Sequence, residues 1–129
     1  MKKNLLLLTL FVLGFFTMSW ANDNVKIFSP QDFQIGLQKD TAAVLLDVRR
    51  PTEFAEGHIK GAINIDWLDI ENFKVQAQKL DVNKTYFIYC RSGKRSNAAA
   101  REMAKRGFKV FDLQGGILLW KQQGFEVVK

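Results

Sequence analysis

The chain has 129 residues, with 19 Lys and Arg against 13 Asp and Glu, which gives a formal net charge of +6 at pH 7. The lysines are spread along the chain and form no extended basic face, which argues against nucleic acid as a partner. One Cys and one His can make neither an internal disulfide nor a metal-ligand cluster. No nucleotide-binding phosphate motif is present, so we expect no cofactor.

The first 21 residues have the pattern of an export signal. Residues 1–3 form a basic start, residues 5–16 are apolar, and residues 19–21 form a small-x-small cleavage site. The apolar run is short for a membrane-spanning helix of about 20 residues, so cleavage after Ala21 is favoured over an uncleaved anchor. We therefore expect no stable membrane anchor, export to a bacterial periplasm, and a mature domain over residues 22–129.

Strand and helix patterns alternate along the mature chain. Strands are predicted over residues 25–28, 43–48, 62–65, 85–89 and 108–112. Helices are predicted after Ser29, after Arg49, over 68–80, over 96–106 and over 117–123. This alternation predicts an α/β three-layer domain on a mainly parallel sheet.

Three details of these helices can be compared with the structure. In the first helix, Phe33, Ile35 and Leu37 are expected to supply the apolar contacts, and Gly36 to weaken the helix. Asp66 is the predicted cap of the helix over 68–80, with an apolar face of Ile70, Phe73, Ala77 and Leu80. Ser96 is the predicted N-cap of the helix over 96–106.

The only cysteine, Cys90, lies between the end of a predicted strand and the start of a predicted helix. Residues 90–95, here called the cysteine loop, carry three cations and Gly93. Backbone N–H groups at a helix start, together with these cations, favour thiolate over thiol, and thiolate is the nucleophile. Gly93 allows the loop to curl into an anion-binding nest.

The alternative for Cys90 is a small buried hydrophobe. It is the less favoured interpretation, because a core cysteine does not need basic neighbours, and because an unpaired thiol in an exported protein is a liability without a function. Ligands of parallel sheets bind at the carboxyl ends of the strands. Cys90 and Arg49 both follow a strand and are expected at this one face.

Several segments together resemble a single-domain rhodanese. They are residues 46–49, 53–54, 57–65, 90–96, 115–116 and Trp120, in the order and at the spacing of that family. The resemblance covers nearly all of the mature chain. It implies a central parallel sheet of about five strands between helices, and sulfurtransferase activity.

The resemblance also implies roles for residues. Cys90 would attack the outer sulfur of a donor such as thiosulfate and carry it as a persulfide, and cyanide or a thiol, including a protein thiol, would accept it. The donor-binding residues would be Arg91, Ser92, Gly93, Lys94, Arg95 and Ser96. Their backbone N–H groups would hold the oxyanion of the donor, and the three cations would add attraction and direct contacts. Asp47 is expected to fix the site loops by hydrogen bonds, and Arg49 to form a structural ion pair.

Alternatives remain at this point. The six-residue cysteine loop suits a sulfur atom, whereas related phosphatases and arsenate reductases carry a loop one residue longer, so arsenate or phosphate chemistry is a minor alternative. A sulfur carrier or interaction module without turnover is another. His58 is interpreted as a structural turn residue, and Trp120, Trp67 and Phe73 as packing residues. We expect a monomer.

Overall fold

The computed structural model describes residues 25–129. Its five strands are β1 (Val25–Phe28), β2 (Val44–Asp47), β3 (Ile63–Asn64), β4 (Thr85–Tyr89) and β5 (Lys109–Leu113). They form one sheet in the order β1-β5-β4-β2-β3, and every neighbouring pair is parallel. The predicted α/β class with a five-stranded parallel sheet is confirmed.

Four helices connect the strands, and a fifth follows β5. They are α1 (Pro30–Lys39), α2 (Pro51–Glu56), α3 (Ile70–Gln78), α4 (Lys94–Lys105) and α5 (Gly116–Gln122). Within residues 25–129, none of these helices has the length and apolar character needed to cross a membrane. The predicted export signal lies outside the described residues.

The apolar core is divided between the two faces of the sheet. Side chains of β4 alternate between these faces: Tyr86 and Ile88 belong to the cluster that includes α3 and α4 residues, and Phe87 and Tyr89 to the cluster that includes α1 and α5 residues. A strand buried on both faces has a nearly continuous apolar sequence, which is why the sequence pattern predicted β4. Trp120 is buried as predicted.

Helix α4 begins two residues earlier than predicted. Gly93, with a φ of 107°, is its N-cap, and Ser96 lies in the first turn with its hydroxyl donating to the Gly93 carbonyl at 3.3 Å. The prediction of Ser96 as the cap is therefore wrong. The left-handed conformation of Gly93 turns the chain into the helix sooner than a side-chain cap would.

The cap of α3 also differs from the prediction. Asp69 accepts from the Asn72 backbone N–H at 3.4 Å and is the N-cap. Asp66 instead accepts from the Leu68 N–H at 2.9 Å and faces Arg50 at 3.4 Å. An Asp two residues before a turn can hydrogen-bond locally as readily as it can cap a helix, and the sequence pattern does not separate the two.

Two residues predicted to face the core are more exposed than expected. Ile35 of α1 is 40% exposed and Ile70 of α3 is 38% exposed, whereas Phe33 and Phe73 are buried. Trp67 packs against the core as a partly buried residue and contacts the Phe73 ring edge-on, as the packing interpretation predicted.

Candidate active site

Cys90 directly follows the last residue of the central strand β4. Asp47, the last residue of β2, pairs in register with Tyr89, so the carboxyl ends of the two strands bring Asp47 beside the start of the cysteine loop. Cys90 itself is only 1% exposed. The Gly93 N–H donates to its Sγ at 3.1 Å. At least one loop amide therefore faces the sulfur, as an anion-stabilising nest requires.

The N-terminus of α5 holds the cysteine loop from outside. The Ile117 N–H donates to the Cys90 carbonyl at 2.9 Å, and the Leu118 N–H donates to the Arg91 carbonyl at 3.2 Å. Gly116 has a φ of 61°, and a Cβ atom there would overlap the Arg91 carbonyl and lie 2.7 Å from the Cys90 carbonyl oxygen. Gly116, in the 115–116 segment of the family resemblance, thus has a specific role, because only glycine permits this close approach.

Arg95 forms a bidentate salt bridge with Glu53 of α2. The two nitrogen–oxygen distances are 2.8 and 3.0 Å. This hydrogen bond is the main cause that lowers the pKa of Glu53 and raises the pKa of Arg95. No local sequence pattern indicates this pair, since the two residues are 42 positions apart.

Asp47 and Arg49 form a buried ion pair beneath the site. Arg49 donates to both carboxylate oxygens of Asp47, at 2.7 Å for the shortest contact, and to the Gly57 carbonyl at 2.7 Å. The Asp47 carboxylate also accepts the Arg49 backbone N–H at 2.9 Å. This contact is the ion pair expected for Arg49, and the structural role of the two residues stays a prediction.

Tyr89 lies next to this ion pair and was not singled out from the sequence. Its hydroxyl accepts the Ile59 N–H at 3.0 Å, and the Arg49 guanidinium lies 5.7 Å from the centre of its ring. Burial, followed by the nearby Asp47 carboxylate, strongly raises the pKa of Tyr89. A tyrosine at the end of a buried strand is the only sequence feature that hinted at a role.

The remaining donor-binding candidates differ in exposure. Arg91, Ser92 and Lys94 are exposed, and neither cation forms an ion pair within the described part of the chain. Ser96 is fully buried and faces the Gly93 carbonyl. The loop therefore presents two unpaired cations to solvent, while its third cation, Arg95, is held by Glu53.

Asp112 of β5 is another residue that the sequence did not single out. It is 2% exposed and its Oδ2 accepts from Asn97 of α4 at 3.4 Å, while no partner in residues 25–129 reaches its Oδ1. Burial raises the pKa of Asp112, although the nearby polar groups of Ser96 and Asn97 oppose this. Its position behind the first turn of α4 makes it a packing partner of that turn.

His58 lies in an isolated bridge to the C-terminal segment rather than in a turn, and its interpretation as a structural residue stays a prediction. Its backbone pairs in both directions with Val128 at 2.8 Å, its ring stacks on Phe54 with centroids 3.8 Å apart, and its Nδ1 lies 3.0 Å from the Phe54 carbonyl oxygen. These contacts join α2 to the C-terminal segment.

Comparison with known proteins identifies the family. The model of the rhodanese-like domain matches residues 29–123. The chain belongs to the rhodanese-like family. Thiosulfate sulfurtransferase GlpE of Ectopseudomonas mendocina is 35% identical over 97 residues, covering 74% of this chain and 84% of that protein. A sulfurtransferase of Allochromatium vinosum is 35% identical over 91 residues, covering 69% and 82%.

A solved structure supports the same assignment. The rhodanese-related protein of Thermoplasma volcanium has a TM-score of 0.71 and 30% identity, covering 80% of this chain and 97% of that one. The resemblance inferred from the sequence is therefore confirmed at the level of family and fold.

Two cavities of this rhodanese-like domain differ in their relation to Cys90. A cavity of about 230 Å³ is lined by Arg91 of the cysteine loop, by Glu53 and by Lys121 of α5, among others. A larger one, of about 440 Å³, is lined by residues of α1, α5 and the C-terminal segment, and by none of the cysteine loop. Of these two cavities, only the smaller one adjoins the cysteine loop.

Proposed function

We propose that this rhodanese-like chain transfers sulfane sulfur from thiosulfate, through a persulfide on Cys90, to cyanide or a thiol. The observation that carries the proposal is the Gly93 N–H at 3.1 Å from the Cys90 Sγ, at the carboxyl end of the central strand. A converging amide stabilises a sulfur anion, both as thiolate and as persulfide. The names of the two sulfurtransferase relatives support the same chemistry.

The reaction has two displacements. The Cys90 thiolate attacks the outer sulfur of thiosulfate, a new S–S bond forms, and sulfite leaves with the electron pair of the broken S–S bond. Cyanide or a thiolate then attacks the terminal persulfide sulfur and leaves as thiocyanate or a new persulfide, which restores the Cys90 thiolate. No proton transfer is needed in either step, which agrees with a structural role for His58.

The exposed cations Arg91 and Lys94 serve in this scheme to attract the anionic donor. Their charge is not cancelled by a neighbouring carboxylate, so their long-range field raises the local donor concentration. This attraction should weaken as ionic strength rises, because exposed charges are screened by salt.

The decisive experiment measures sulfur uptake and turnover on the same preparation. Thiosulfate treatment should add the mass of one sulfur atom to the wild-type chain, and thiocyanate should form continuously when cyanide is present. Cys90→Ser should abolish both. Uptake of one sulfur without turnover would indicate a sulfur carrier instead, and release of phosphate from an aryl phosphate would indicate the phosphatase alternative.

We further propose that the chain is exported and acts as a monomer. Residues 1–21 support export through their basic, apolar and cleavage-site pattern. N-terminal sequencing of protein from a periplasmic fraction should begin at Asn22. Sedimentation of the mature chain should give the mass of one copy.

A further inference from the structure

The salt bridge between Arg95 and Glu53 uses both terminal nitrogens of the guanidinium. Nη1 donates to Oε1 at 2.8 Å and Nη2 donates to Oε2 at 3.0 Å. The side chains of Arg95 and Glu53 are only 20% and 26% exposed. A fork-to-fork contact of this kind fixes orientation as well as distance, so Arg95 has little freedom to turn toward a donor.

Glu53 is itself held in place. The Arg50 backbone N–H donates to its Oε1 at 3.2 Å, in the capping arrangement that begins α2. The Arg50 side chain in turn faces Asp66, at 3.4 Å. The carboxylate that grips Arg95 is therefore anchored to the start of a helix, and that helix start is linked to the segment after β3.

Arg95 lies close in the chain to the Gly93 amide that contacts the Cys90 sulfur. It is the second residue of α4, and Gly93, two residues before it, donates its N–H to the Cys90 Sγ. The charge of Cys90 is also among the causes that raise the pKa of Arg95. Holding the Arg95 side chain thus holds the backbone turn that carries the Gly93 amide.

We propose that Glu53 is a positioning residue of the cysteine loop, which acts through Arg95 to keep the Gly93 amide on the sulfur. In this arrangement Arg95 is not a donor-binding group, and the donor is met by Arg91 and Lys94. The kinetic part of this inference rests on the proposed sulfur transfer, whereas its geometric part does not.

The kinetic test compares Glu53→Gln, Arg95→Lys and the double variant with wild type. Each should lower the rate of persulfide formation at saturating thiosulfate by about tenfold, because a small misplacement of a catalytic group has a large effect on rate. The double variant should lose no more than either single one, and the thiosulfate KM should stay within about twofold. Arg91→Gln should instead raise that KM.

Glu102→Gln is the matched control. Glu102 makes a single ion-pair contact with Arg106, at 3.5 Å, near the other end of α4. The chemical change is identical, but Glu102 lies on α4 rather than α2, and its ion pair does not involve the cysteine loop. Its rate and KM should equal those of wild type.

Amide hydrogen exchange gives a readout that does not depend on sulfur chemistry. The Gly93 amide should exchange faster in Glu53→Gln and in Arg95→Lys than in wild type and Glu102→Gln. Unchanged Gly93 exchange would overturn the inference, as would losses that multiply in the double variant or a raised KM in Arg95→Lys. A wild-type chain that takes up no sulfur would reject the proposed function alone, since the exchange data would still decide the role of Glu53.

Discussion

Gly116 shows how much the cysteine loop depends on a single missing side chain. Alanine at this position would combine a left-handed φ of 61° with overlap against the Arg91 carbonyl. We expect Gly116→Ala to lower the free energy of unfolding by about 2–4 kcal/mol and to slow sulfur transfer. Urea denaturation and the thiocyanate assay measure the two effects.

Gly124 provides the comparison for this variant. Its φ is 87°, but a Cβ atom there meets nothing within 4 Å. Gly124→Ala should therefore cost only the backbone strain, about 1–2 kcal/mol, and leave transfer unchanged. Equal losses in the two variants would mean that the contact with the cysteine loop is unimportant.

The pair of Glu53 and Arg95 should make stability depend on pH. Arg95 holds the pKa of Glu53 below its ordinary value of 4.5. Because this pKa is lower in the folded chain than in the unfolded chain, the stabilisation is present above the unfolded value and is lost as pH falls through the folded value. Glu53→Gln should cost about 1 kcal/mol at pH 7, and the difference from wild type should shrink below about pH 4.5.

Urea denaturation of both proteins at several pH values checks this expectation. Glu102→Gln again serves as control, and it should show a smaller difference because its ion pair is longer and more exposed. A cost of Glu53→Gln that is independent of pH would contradict the assignment of the stabilisation to the ionised carboxylate.

At the scale of single residues, the sequence predicted the position of Cys90 but not the partners around it. The place of Cys90 follows from a local pattern, a strand followed by a helix start. The contact of Arg95 with Glu53 depends on how α2 and α4 meet in space. Local patterns carry no information about such a contact, and the capping position of Glu53 was the only signal that could have suggested a fixed carboxylate.

The helix α1 illustrates the same difference at the scale of elements. Gly36 was interpreted as weakening the helix, but a Cβ atom there would lie 2.8 Å from two atoms of the buried Phe87 ring. The glycine therefore lets α1 approach the sheet closely. Propensity describes an isolated helix, and packing against the sheet overrides it here.

Because of this packing, we expect a Gly→Ala substitution in a helix, which commonly stabilises a protein, to destabilise this one. Gly36→Ala gains about 1 kcal/mol of helix propensity but must displace the Phe87 ring, and such overpacking costs about 1–3 kcal/mol. We expect a net loss of stability in thermal denaturation. A rise in Tm would show that the ring gives way easily.

Most elements were predictable because their periodicity is strong, and the errors fall at their ends. The strand over 85–89 was predicted with its observed bounds, while α4 and α3 began at unexpected caps. Caps depend on one or two hydrogen bonds, and several polar residues near a helix start compete for them. Boundaries are consequently set by details that the hydrophobic pattern does not contain.

At the scale of the whole molecule, the two core clusters share one sheet and should unfold together. Trp67 packs against the cluster on one face and Trp120 lies in the cluster on the other. Two variants each keep one of these tryptophans: Trp20→Phe with Trp67→Phe keeps Trp120, and Trp20→Phe with Trp120→Phe keeps Trp67. In each variant, tryptophan fluorescence and far-UV circular dichroism should be lost at the same urea concentration. Fluorescence and dichroism that disagree in either variant would reveal separate unfolding of the two faces.

The parallel arrangement of β1 and β4 has a practical consequence for handling the protein. Since all strands run in one direction, Val25 begins β1 at the amino ends of the strands, whereas Cys90 follows the carboxyl end of β4. An affinity tag, surface linker or fusion partner joined ahead of Val25 would therefore be attached at the end of the sheet opposite to Cys90. Immobilised copies should therefore present the end that holds Cys90 to the bulk solution, which suits capture experiments with candidate acceptor proteins.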